Sequence, residues 1–262
     1  MLTIEKKKIN HDILTVLIIG TALITGLAMI VISSLSSSSF LAILGVSLSF
    51  WSMLLLFFTP TRHAFLSLLK ASASASVSNI ERSLLEFGLA EKGIYLPPQN
   101  LRNFETSLVF VPKASGMTLP ASDEIVDKLF DKGKTGLLFT PPGFALSMMF
   151  EKELGLSFRK ISLTQIQNLI KKLFFDLKFA EDVQVAIQDR TIILEITGSI
   201  FNTLCQETRN NQPRTHAQVG CILASAFACA FAKASDQPIT IHKDTLNLDT
   251  RTLIIEYRME EV

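Results

Sequence analysis

The chain has 262 residues, of which 48% are hydrophobic and 19% charged, and its mean hydropathy is +0.36. That is too apolar for an ordinary soluble domain, so membrane spans are expected before any local feature is read. With 25 basic and 24 acidic residues the chain lacks the basic excess of a nucleic-acid binder, and its 3 cysteines do not look like a disulfide framework.

Residues 13–32, ILTVLIIGTALITGLAMIVI, carry no charge. At a rise of 1.5 Å per residue, about 20 residues cover roughly 30 Å, the thickness of a bilayer's hydrocarbon core. A second uncharged run, FLAILGVSLSFWSMLLLFF, fills residues 40–58, and only SSLSSSS separates the two. So short a connection makes the spans antiparallel. The first apolar core is too long for a secretory h-region and a second span follows it, so an uncleaved hairpin is expected. Lys6, Lys7 and Lys8 precede the hairpin, and Arg62, His63 and Lys70 follow it. The positive-inside rule then places both termini in the cytoplasm, in a multi-pass protein of the cell membrane. Ala22 and Gly26 form a small-residue pair that would let the helices approach, and the mid-span Trp51 is expected to face the partner helix. Neither run holds an ionisable residue, so the hairpin reads as an anchor rather than a conduit.

The expected organisation is a cytoplasmic N-terminus (1–12), a transmembrane helical hairpin (13–60), a stalk with an amphipathic helix (61–92) and a cytoplasmic domain (93–262). In the stalk, an Ala/Ser alternation at 71–76 offers little to bury. Ile80, Leu84 and Leu85 then fit helical spacing before Gly88 ends the helix. The domain opens with GIYLPP and SLVFVP, two strands stopped by proline. A helix is expected over 123–131, then a strand in TGLLFTPPG, whose Pro-Pro-Gly opens a helix running to about Leu154. Ser162–Gln165 is a capping box for a helix ending near Lys178. VQVAI, the turn QDR and TIILEIT make a hairpin. A helix over 199–209, a loop RNNQPRTH, a helix over 219–233 and strands at 238–242 and 252–258 complete the chain. The fold class is therefore α+β, with helices packed on an antiparallel sheet. Residues 219–232 are uncharged, but roughly 14 residues are too few to span a membrane, so this helix is expected to be a buried core element.

Several phrases carry a resemblance. A Gly-Cys start, a small and apolar helix ending FAKA, the strand PITIH and a last strand near the terminus together resemble the C-terminal unit of 4-vinyl-reductase-type small-molecule-binding domains. The strand pair at 182–197 followed by GSIFNTLCQ fits the same order. This match covers residues 182–258. The two-span N-terminus with GIYLPP, VFVP, LLFTPPG and GSIF…C…GC resembles uncharacterised archaeal membrane proteins over residues 80–258. The resemblance implies a domain that takes up a hydrophobic small molecule, or a partner, between helices and a bent sheet. Where such domains place further cysteines or Cys-Pro, this chain has GCILAS, and Cys221 alone matches.

Four kinds of chemistry are conceivable for these residues. Cys205, His216 and Cys221 are the only trio worth testing as metal ligands, but no close Cys-x-x-Cys pair supports them, and buried thiols are the ordinary reading. GKT at 133–135 lacks the earlier glycine of a phosphate loop, Lys128 standing in its place. No nucleophile elbow accompanies the histidines, so no catalytic residue and no cofactor are expected. The charges of Glu151, Lys152, Glu153, Lys171 and Lys172 read as solvated faces. The expected function is then a non-catalytic, membrane-anchored cytoplasmic domain that binds or senses a small hydrophobic ligand. Phe201, Cys205, Cys221, Ser225 and Cys229 would form its pocket wall. The alternatives are a membrane-bound scaffold or tether without a ligand and, third, a cysteine enzyme. The expected partners are the lipid bilayer through residues 13–58, a hydrophobic small molecule and a second copy of the chain, and not nucleic acid.

Overall fold

The computed structural model describes residues 2–36, 38–58, 76–98, 106–114 and 136–260, with side chains described from residue 17 and, in the second helix, as far as residue 55. The helix expected at 123–131, the GKT stretch and most of the Ala/Ser alternation lie outside the described residues. The chain divides into two compact units, Met1–Phe65 and Leu66–Val262.

The first unit is a helical hairpin of α1 (Leu2–Ser36) and α2 (Ser39–Phe58). Among the described side chains, the buried positions on α1 are Ile19, Gly26 and Ser33, and on α2 Gly45 and Ser52. Each step is seven residues, the spacing of a seam that two helices keep by shallow left-handed crossing. The backbones touch at the glycines. A Cβ on Gly45 would lie 2.7 Å from the Gly26 carbonyl oxygen, and one on Gly26 would lie 2.5 Å from Ser49 Oγ. Gly26 thus meets the expectation of a close-approach residue, with Gly45 as its counterpart. The hydroxyls of Thr21, Thr25, Ser34 and Ser36 donate to carbonyls three or four residues back, which satisfies them without solvent. Trp51 points outward, 60% exposed, with its ring edge-on to Phe50. The expectation that it faces α1 fails because Gly45 and Ser52 occupy the inner face of α2.

The second unit is α+β. The helix at residues 76–86, α3, buries Val77, Ile80 and Leu84, whereas Leu85 is exposed. Gly88, at φ +64°, ends it, with the Gly88 and Leu89 amides donating back to the Leu85 and Leu84 carbonyls. The strands are β1 (Ile94–Leu96), β2 (Leu108–Pro112), β3 (Gly136–Phe139), β4 (Asp182–Gln188), β5 (Thr191–Thr197), β6 (Ile239–Asn247) and β7 (Thr252–Met259). They form one antiparallel sheet in the order β3-β2-β1-β6-β7-β5-β4. The helices are α4 (Phe144–Leu154), α5 (Leu163–Asp176), α6 (Asn202–Asn211), α7 (Pro213–Val219) and α8 (Ile222–Ser235). The capping box at Ser162 forms as the sequence implies, with Ser162 Oγ accepting from the Gln165 amide and the Gln165 side chain accepting from the Ser162 amide.

The two halves of the sheet differ. β4, β5 and β7 alternate buried and open positions, whereas every residue of β2 is buried. The register puts Ile94, Leu96, Leu108, Phe110 and Leu138 together on one face, where they form an apolar cluster of their own. Tyr95 and Val109 point to the opposite face, where α8 lies. Alternation is the signature of a sheet wetted on one side, and continuous apolar sequence that of a strand covered on both.

Two features depart from the sequence reading. The stretch RNNQPRTH is not a loop. α6 runs to Asn211, and Pro213 then occupies the first turn of α7, where its missing N–H costs nothing. The last strand pair is also longer than expected, because β6 continues past a bulge between Ile241 and Lys243 as far as Asn247.

Candidate functional site

The residues proposed from sequence as a pocket wall gather around α8. Every side chain from Ile222 to Lys233 is buried. The stretch Pro213–Ser235 is apolar enough to cross a membrane, yet its residues from Gln218 to Lys233 are all buried within the unit. It is also not one helix: Gly220, at φ +72°, breaks it, and a Cβ there would lie 2.7 Å from Ile241 Cδ1. The expectation of a core helix therefore holds.

What surrounds α8 is aromatic. Phe227 lies 5.6 Å from Phe150 and 5.5 Å from Phe174, ring centre to ring centre, and 6.0 Å from Phe231, which meets Tyr257 at 5.1 Å. Phe174 continues through Phe179 to Phe201 at 5.8 and 5.3 Å. Seven rings thus make one connected row, with spacings typical of attractive aromatic pairs. Phe201 is part of this row. Gly143 fits directly against the α8 backbone, with its amide donating to Ser225 Oγ at 3.0 Å. Tyr95 and Tyr257 donate from their hydroxyls to the Val219 and Ala224 carbonyls at 2.5 and 3.1 Å, and burial pushes both phenols well above their ordinary range. Cys229 is a free thiol in the same interior, and its pKa is pushed up to about 12 chiefly by burial, so it stays protonated.

Cys205 and Cys221 are joined as a disulfide, with Cα atoms 5.1 Å apart across a sequence separation of 16. The cysteines are therefore not three unlinked thiols, as the sequence implied: two are bonded and Cys229 alone is free. Cys221 is not on the α8 surface but at its N-cap, in extended conformation, and the short α7 turns the chain back so that α6 meets it. His216 turns elsewhere: its Nε2 lies 3.0 Å from Asp244 Oδ2 on β6, and Arg209 Nη2 lies 2.9 Å from the same oxygen. The trio Cys205, His216, Cys221 therefore does not converge on one point, and among the described residues no three His, Cys, Asp or Glu side chains do. Burial pushes the Asp244 carboxyl up, but the hydrogen bonds and charges of His216 and Arg209 outweigh it and hold the group below its usual range.

Glu151 is not a solvated charge. Its carboxylate accepts from Lys233 Nζ at 2.8 Å, from Ser157 Oγ at 3.0 Å and from the Phe158 amide at 2.8 Å, and Lys233 is only 3% exposed. Glu81 was likewise missed. Its carboxylate takes hydrogen bonds from the Arg214 and Thr215 amides and from Thr215 Oγ, capping the N-terminus of α7 from another helix. No local signal marks a glutamate that acts 134 residues away. Two cavities open at the edge of this core. One of about 380 Å3 between α5 and β4 is lined by Lys171, Lys172, Phe174, Phe175, Ala180 and Val183 among others. Another, of about 610 Å3, sits beside Met148 and Glu151.

A family model described as a domain of unknown function, DUF7982, matches residues 4–259. The chain belongs to the DUF7982 family. The match runs through both units, so the apolar hairpin belongs to the DUF7982 pattern as much as the sheet does. No curated protein and no solved structure matches the chain.

Proposed function

We propose that this DUF7982 protein is a membrane-anchored, non-catalytic scaffold: the hairpin holds it in the bilayer, and the α+β unit acts in the cytoplasm through protein contacts. The aromatic row carries this reading. The α8 face on which a ligand would have to lie is occupied by Phe150, Phe174, Phe227, Phe231 and Tyr257. The anchor is supported by residues Leu17–Ser36, whose mean hydropathy is 2.2 and of which only Ile19, Gly26 and Ser33 are buried. Ser39–Leu55 is shorter but has the same apolar character. Leu27, Val31, Phe40, Ile43 and Phe50 all face outward, as lipid-facing side chains would.

A small hydrophobic ligand is the second reading, in keeping with the vinyl-reductase-type resemblance. The apolar cavity between α5 and β4 favours it, and would put the ligand against Phe174, Phe175 and Val183 rather than against the cysteines. Native mass spectrometry of the full chain released from nanodiscs separates the two. A homodimer or a co-purifying protein without adduct supports the scaffold, and a retained lipid-sized mass lost in Phe175→Asp overturns it. Orientation has its own check: a cysteine at Ser36 should react with a membrane-impermeant maleimide added outside intact cells, and protection there would reverse the topology.

A further inference from the structure

The disulfide closes a loop, and that loop is where the segment leading from the hairpin is seated. Residues 76–93 are held to the rest of the α+β unit by hydrogen bonds that run to residues 214–218. Glu81 accepts from the Arg214 amide at 3.3 Å, and from the Thr215 amide and hydroxyl at 2.6 and 2.7 Å. The Leu89 carbonyl accepts from Gln218 Nε2 at 2.6 Å, Lys92 Nζ donates to the Ala217 carbonyl at 2.6 Å, and the Gly93 amide donates to the Gln218 carbonyl at 2.8 Å. At the other end of each bond, the partner (Arg214, Thr215, Ala217 or Gln218) lies between Cys205 and Cys221. Arg209 and His216, also in this loop, fasten it to Asp244 on β6.

We propose that Cys205–Cys221 is a thiol–disulfide exchange site whose oxidised form holds the socket for residues 76–93, so that reduction loosens the chain's connection from hairpin to domain. The co-reactant is a dithiol reductant of the thioredoxin or glutaredoxin class. Its thiolate attacks Cys205 Sγ, the Cys205–Cys221 bond breaks, and Cys221 leaves as a thiolate. A second thiol of the reductant then displaces Cys205 from the mixed disulfide. Two electrons and two protons pass to the protein, and the reductant ends as its own disulfide. Cys221 is the better leaving group because it stands at the N-cap of α8, where the helix dipole stabilises a thiolate. Cys229 takes no part, since its thiol is buried and stays protonated.

Both sulfurs are buried, at 3% and 1% residue exposure. Attack therefore requires α7 to open, which is the movement that would release Glu81, Leu89 and Lys92. The coupling is reciprocal: a seated stalk protects the disulfide to the same degree that the disulfide favours seating. This inference stands apart from the choice between scaffold and ligand binder.

The test uses the full chain in nanodiscs, equilibrated in dithiol buffers of stepped potential, then acid-quenched, denatured and reacted with a polyethylene-glycol maleimide. Cys205 and Cys221 should become reactive together in one two-electron transition, above a constant single Cys229. Hydrogen exchange of residues 76–93 should rise on reduction. In Cys205→Ser/Cys221→Ser it should sit at the reduced wild-type level at every potential. Glu81→Gln should quicken reduction about five- to ten-fold. Three reactive thiols under all oxidising conditions, a disulfide between two chains, or equal exchange of 76–93 in both redox states would each overturn the proposal.

Discussion

A methyl group at position 143 would overlap the Ala226 nitrogen and the Ile222 carbonyl of α8. Because those are backbone atoms of a buried helix, they have little room to yield. Gly143→Ala should therefore destabilise the α+β unit by about 3 kcal/mol or more, at the upper end of overpacking costs, read as a loss in thermal midpoint. Asp244 carries a prediction with a definite sign. Its folded carboxyl lies below the unfolded value, chiefly through His216 and Arg209 acting against burial. Its contribution is then fully present above about pH 4, the unfolded pKa, and is lost as pH falls through the depressed folded value. The difference in melting temperature between wild type and Asp244→Asn should be widest near neutrality and should narrow steadily below about pH 4. A difference that persists undiminished into strong acid would show that the side chain acts by packing instead.

At the scale of elements, the hairpin depends on Gly26 and Gly45 because nothing larger lets the two backbones touch. Gly45→Leu should lower the thermal midpoint of helix loss in micelles, whereas Gly20→Leu should not, since nothing lies within 4 Å of a Cβ placed there. Equal losses in both would mean that the seam does not hold the helices. Many elements were legible in the sequence. The capping box of α5, the β4–β5 hairpin and the outline of α8 follow from capping chemistry, period-two alternation and an apolar run ended by Lys233. α7 was not legible, because Asn, Gln, Pro and Arg are common in loops, and a helix of seven residues depends on tertiary contacts such as the Glu81 cap and the His216–Asp244 pair. Leu85 misled for a related reason: periodicity marks an apolar face but not its edge, and the buried stripe runs through Val77 instead.

For the whole molecule, the single tryptophan offers a direct check of the bilayer reading. Trp51 stands outward near the middle of the second apolar run. In reconstituted vesicles its fluorescence should be quenched by lipids brominated deep in the acyl chain and hardly by an aqueous quencher. Strong aqueous quenching would remove the hairpin from the membrane. The family match across residues 4–259 means that hairpin and sheet are to be tested as one protein.

The amino-acid sequence by itself determined two apolar helices, the α+β class and most element boundaries, because hydropathy, periodicity and capping are local properties of a chain. Only the tertiary structure decided where the chemistry lies. It joined Cys205 to Cys221, turned His216 toward Asp244, buried Lys233 against Glu151 and filled the face of α8 with aromatic rings. The Lys233–Glu151 pair spans 82 residues and the Glu81 contact with Thr215 spans 134. No local pattern encodes such pairings. They follow from how a seven-stranded sheet and its helices bring distant segments to one place, which a single sequence read along its length does not contain in any window.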